Sequence, residues 1–101
     1  MPFGISASDL DFIKNEIKKH SGSSKNMELY IFGSRATGKY RAYSDIDLLL
    51  MATDYDEEAL SRIDFSESDL PYKVDLVLFT ELFEDYREKV LQEMVRLEFQ
   101  S

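Results

Sequence analysis

The sequence predicts an α/β (α+β) fold in which a three-stranded mixed β-sheet is flanked by helices, and two observations carry that expectation. Three short β-rich runs, at 27–33, 44–52 and 72–79, are interleaved with segments whose apolar residues recur at helical spacing. The second and third runs also carry aspartates in matching phase, as two neighbouring strands of one sheet would. At 101 residues, with 44% hydrophobic and 13% aromatic side chains, residues 1–101 are expected to form a single domain with one modest core.

The predicted order is α-β-(short α)-β-α-β-α. Ser6 or Ser8 can cap the first helix, each being followed three residues later by an aspartate, and Leu10, Ile13 and Ile17 then define one apolar face. Lys18, Lys19 and His20 suit a helix C-terminus and Gly22 supplies a stop, so the helix runs from about 8 to 20. The first strand is "MELYIFG", 27–33, and the second is "SDIDLLLMA", 44–52. Between them, Gly33-Ser34 opens a short helical turn. The segment 55–65 has acids for a helix N-terminus and a narrow stripe of Ala59, Leu60 and Ile63, enough for a crossover helix. A third strand, "YKVDLVLF", follows Pro71, where a proline removes no ladder donor. Thr80 is placed as the cap of a long final helix reaching about Phe99, with Phe83, Tyr86, Val90, Met94 and Leu97 along one face.

Composition narrows the function. Without cysteine there is no disulfide framework, thiolate catalysis or cysteine-bound zinc. The N-terminus has no signal-peptide pattern and no apolar run approaches the roughly 20 residues that span a bilayer, so a cytoplasmic protein without membrane contact is expected. The net charge of −8, concentrated in seven acids between residues 54 and 69, disfavours direct nucleic-acid binding. Residues 33–44 stand apart, with Arg35, Lys39 and Arg41 and no acid. Such a patch suits a small anionic ligand, and three solvated loop cations would give the same pattern.

Directly after those cations come Asp45 and Asp47. Alternation along a strand points both carboxylates to one face, with Cα atoms about 7 Å apart at ~3.4 Å per residue, within reach of one or two hard cations. Asp75 occupies the same phase in the third strand. Three gathered carboxylates repel one another unless a positive charge sits among them, and with one histidine and no cysteine Mg²⁺ is the natural occupant. Mg²⁺ commonly bridges carboxylates to substrate phosphates, and Gly33-Ser34 offers close backbone approach with a hydroxyl. For these parts to meet, the first and second strands must be antiparallel, while the helical connection lets the second and third run parallel.

Gly33-Ser34, ten intervening residues, Asp45-x-Asp47 and a later Asp75 together resemble the signature of the DNA polymerase beta-like nucleotidyltransferase superfamily, most closely its minimal nucleotidyltransferases. The resemblance covers nearly the whole chain. It implies the nucleotidyltransferase fold, two Mg²⁺ ions held by Asp45, Asp47 and Asp75, activation of an attacking hydroxyl by Asp75, and a triphosphate gripped at Gly33 and Ser34, with Arg35, Lys39 and Arg41 adding charge. Many members read Gly-Ser-Arg-Ala-Arg-Gly here, whereas this chain has Thr37 at the fifth position, a loss that Lys39 or Arg41 could cover.

The resemblance further implies an antitoxin that transfers AMP from ATP to a tyrosine of a HEPN-domain ribonuclease toxin. Two other readings stay open: a non-catalytic nucleotide-binding module that neutralises its partner by contact, and a transferase acting on a small molecule or an RNA end. Tyr40 and Tyr43 could stack on a base or pack on the core.

Overall fold

The structure of the protein, a computed structural model, describes residues 2–20, 27–51, 58, 60, 62–63, 65 and 70–98. After a 3₁₀ turn at Pro2–Gly4, helix α1 (Ala7–His20) begins where Ser6 Oγ accepts a hydrogen bond from the Asp9 amide at 3.2 Å. Its Leu10, Ile13 and Ile17 are buried, which is the face that the 3.6-residue period marks out. Strand β1 (Glu28–Phe32) leads through Gly33 into a one-turn helix, α2 (Ser34–Thr37), and then comes β2 (Ile46–Met51). Glu58 and Leu60 are helical; the remainder of the expected 55–65 helix lies largely outside the described residues.

The sheet order is β3-β2-β1-β4, where β3 is Val74–Leu78 and β4 is Val95–Leu97. β1 and β2 are antiparallel and β2 and β3 parallel, as the site's geometry required. Ile46, Leu48 and Leu50 join Leu29, Ile31 and Leu78 in packing with the α1 residues into the core. Leu49, equally buried, faces the other side of the sheet by alternation.

Two expectations are corrected at the C-terminal end. The sheet has four strands, not three, and the helix placed at 80–99 is broken into a 3₁₀ turn (Phe79–Glu81), helix α3 (Glu84–Glu93) and β4. The cap of α3 is Phe83, in extended conformation, in place of Thr80. Met94, at φ −67° and ψ 146°, leaves the helix, and the chain turns back antiparallel along β1, pairing Leu29 with Leu97, Tyr30 with Arg96 and Ile31 with Val95. This pairing satisfies backbone groups that an uncovered β1 edge would expose. It also buries Leu97, while Phe83 and Tyr86 stay exposed. Among the described residues, no helix is long and apolar enough to cross a membrane.

Candidate active site

The C-terminal end of β1, the start of β2 and the start of β3 lie at one end of the sheet. Phe32 is the register partner of Asp47, and Asp47 in turn is the partner of Asp75. Paired positions on adjacent strands are about 4.8 Å apart, so the two carboxylates rise side by side. Asp45 precedes β2 and is exposed, whereas Asp47 and Asp75 are half-buried.

Asp47 registers its surroundings electrostatically. Loss of hydration, followed by the negative charges of Asp75, Asp45 and Glu93, pushes its pKa above the ordinary aspartate range, and Lys73 opposes them. Lys73 also forms an ion pair with Asp75 at 3.7 Å, across a solvent-exposed gap where such pairs contribute little. Among the described residues, no three acidic or histidine side chains are gathered closely enough to hold a metal ion as they stand. Their chemistry nevertheless fits one. The donors at this end of the sheet are carboxylate oxygens, suited to a hard cation, and Asp47 sits in an excess of negative charge that a divalent ion would relieve.

Gly33 lies against this cluster. Its φ of 77° and ψ of −155° fall in a region essentially reserved for glycine, and a Cβ there would stand 2.6 Å from Asp47 Oδ2. The glycine carbonyl accepts the amides of Ala36 and Thr37, both at 3.1 Å, which winds α2 immediately behind Ser34. Gly33 is thus set directly against Asp47, with Ser34 following it at the start of α2.

The three cations of the intervening segment separate. Lys39 and Arg41 are exposed. Arg35, expected among the phosphate-binding cations, is instead 1% exposed and points inward. Its guanidinium donates to the carbonyls of Ser44 (3.1 and 2.9 Å), Phe3 (2.9 Å) and Ala42 (3.2 Å), and more weakly to Arg41 (3.5 Å). The rings of Tyr40 and Tyr72 flank it at 5.1 and 4.8 Å. Arg35 therefore shapes the loop that delivers Asp45, and Tyr40 is half-buried against it while Tyr43 is exposed. The Thr37 hydroxyl turns back on the carbonyls of Gly33 and Ser34, each at 3.3 Å.

Sequence reasoning missed two residues here. Lys73 lies two positions from Asp75 and was legible as a nearby charge. Glu93, whose Oε1 accepts the Gly33 amide at 3.1 Å, comes from the end of α3, sixty residues away, and nothing local announces it.

Comparison with known proteins points the same way. Residues 7–97 match the nucleotidyltransferase domain family. The probable protein adenylyltransferase MntA of Haemophilus influenzae is 44% identical over a 63-residue alignment that covers 59% of this chain and only 55% of that relative. A solved toxin-antitoxin structure with AMP-PNP superposes with a TM-score of 0.60 at 27% identity, covering 86% of this chain and 73% of the other. A Sulfolobus solfataricus structure assigned as a nucleotidyltransferase gives a TM-score of 0.52 at 27% identity, over 86% of this chain and 77% of its own.

Proposed function

This chain belongs to the nucleotidyltransferase domain family, and on that premise we propose that it transfers AMP from ATP to a tyrosine hydroxyl of a HEPN-domain ribonuclease toxin, acting as the toxin's cytoplasmic antitoxin. The observation that carries this reading is the meeting of Gly33 with Asp47 and of Asp47 with Asp75, which sets a glycine-serine turn beside paired carboxylates. The similarity to MntA supports a protein acceptor, and the relative solved with AMP-PNP, an ATP analogue, supports ATP as donor.

In this reading the acceptor oxygen attacks the α-phosphorus in line, the bond to the β-phosphate bridging oxygen breaks, and pyrophosphate leaves. Asp75 takes the hydroxyl proton. Gly33 and Ser34 seat the triphosphate, and the exposed Lys39 and Arg41 complement its charge. Asp45, Asp47 and Asp75 would hold Mg²⁺, which when bound supplies Lewis-acid stabilisation of the reacting phosphates. Arg35 serves by holding the loop that carries these groups.

A contact-only antitoxin is the second reading, favoured by the absence, among the described residues, of three acidic or histidine side chains gathered as a metal site. Incubating the toxin with α-³²P-labelled ATP and Mg²⁺ separates the two. Label should pass to the toxin with the wild-type chain and fall by at least about 10²-fold with Asp45→Ala or Asp47→Ala, since metal-ion catalysis contributes several kcal/mol. Toxin inhibition that persists without label would establish the contact-only antitoxin. A small-molecule or RNA acceptor ranks below both, the latter because of the −8 net charge.

A further inference from the structure

We propose that Glu93 is a positioning residue that holds the Gly33 turn against Asp47, so that the end of α3 sets the relative placement of the phosphate seat and the carboxylates; this rests on the nucleotidyltransferase reading. Gly33 is enclosed by two carboxylates. Asp47 Oδ2 lies 2.6 Å from where a Cβ would fall, and Glu93 Oε1 accepts the Gly33 amide at 3.1 Å. The glycine carbonyl is committed to Ala36 and Thr37, so α2 secures the peptide that follows Gly33 and the Glu93 bond secures the peptide that precedes it.

Two features argue that this contact is more than incidental. Glycine is free to adopt many other backbone conformations, so holding Gly33 at φ 77° and ψ −155° calls for contacts that fix it, and Glu93 is a tether to it from another element. Glu93 is also the last residue of α3, where a negative charge opposes the helix dipole, and no basic residue in that last turn compensates. An acid that works against its helix has its favourable contact at the Gly33 amide.

Three variants separate geometry from charge. Glu93→Gln keeps an acceptor at the same reach, Glu93→Asp keeps the charge but is one methylene short, and Glu93→Ala removes both. Hydrogen exchange of the Gly33 amide, followed by NMR in the nucleotide-free protein, should quicken roughly tenfold or more in the Ala and Asp variants and stay within about threefold of wild type in the Gln variant. Affinity for AMP-PNP with Mg²⁺, measured by calorimetry, should fall about tenfold in the first two and little in the third, the scale of one charge-assisted hydrogen bond. The Asp and Gln variants decide the matter should the Ala variant not fold. Unchanged Gly33 exchange in the Asp variant overturns the proposal, as does tighter AMP-PNP binding in both the Gln and Asp variants, which would make Glu93 a competitor of phosphate. A wild-type chain that binds no AMP-PNP sinks the nucleotide reading instead, and the exchange measurement still decides the tether.

Discussion

Replacing Arg35 distinguishes two jobs for the same side chain. In the structure its guanidinium meets three backbone carbonyls at 3.2 Å or less and two aromatic faces, all within a 1% exposed environment. Hydrogen bonds from a charged donor contribute about 1.5–3 kcal/mol each, though not additively, and truncating a large buried side chain leaves a void worth about 2 kcal/mol or more. Arg35→Ala should therefore cost roughly 4 kcal/mol, a large part of the ~5–15 kcal/mol that holds a domain of this size together. At about 4 °C or more per kcal/mol, the melting temperature should fall by at least about 15 °C. Arg35→Lys keeps the charge but not the planar fork, and should still cost about 2 kcal/mol. Urea titration measures both, an unchanged m-value confirming that the midpoint reports stability. A variant as stable as wild type to within about 0.5 kcal/mol, yet impaired in ATP binding, would refute the structural role and return Arg35 to the phosphates.

Other outcomes follow from the same contacts. Gly33→Ala must bring a Cβ to 2.6 Å from Asp47 Oδ2 at a positive φ, so it should destabilise by about 1–3 kcal/mol in thermal melts and abolish nucleotide transfer. Because the folded-state pKa of Asp47 is raised, the folded state holds its proton more tightly than the unfolded chain. Its contribution is therefore fully present below the ordinary aspartate value of 3.8 and lost as pH rises through the raised one. Asp47→Asn should accordingly melt above wild type at pH 7, with the gap closing as pH falls toward 3, and Mg²⁺ should stabilise wild type but not the variant. Tyr72→Phe removes the hydroxyl that donates to Asp9 Oδ2 at 3.2 Å and should cost about 1 kcal/mol in urea. Leu97→Ala should cost roughly 2–4 kcal/mol, the scale for a buried leucine, because β4 carries Leu97 into the core.

What the sequence made legible was local or periodic. The face of α1, the shared phase of Asp47 and Asp75, and the mixed pairing of β1, β2 and β3 all follow from residue spacing together with the need for one site, whereas Asp45, expected within the second strand, lies just before it. The C-terminal segment misled because Val90, Met94 and Leu97 keep helical spacing. The decision between helix and strand at 95–97 rests with the free edge of β1, a tertiary fact that no window of that segment contains. Arg35 misled for a related reason. In sequence it is one of three loop cations, and only the converging carbonyls of Phe3, Ala42 and Ser44, brought together by folding, draw it inside.

The gathering of basic residues before a pair of carboxylates thus has a divided cause. One cation folds inward and closes the connector, so that the polar loop between β1 and β2 is pinned from within without drawing on the aspartates for support. Were the loop instead anchored by ion pairs to Asp45 or Asp47, ordering it would neutralise the charge that makes those carboxylates attractive to a cation. Carbonyl oxygens carry no such cost, and they leave Asp47 under its neighbours' repulsion, which the exposed Lys73 opposes. The strain of gathering like charges is sustained by contacts made elsewhere: the core beneath β2, the Arg35 hub, and the bond from Glu93 to Gly33. A site arranged this way is least stable when empty of positive charge, and for that reason its melting temperature should respond more to Mg²⁺ than to an equal ionic strength of Na⁺.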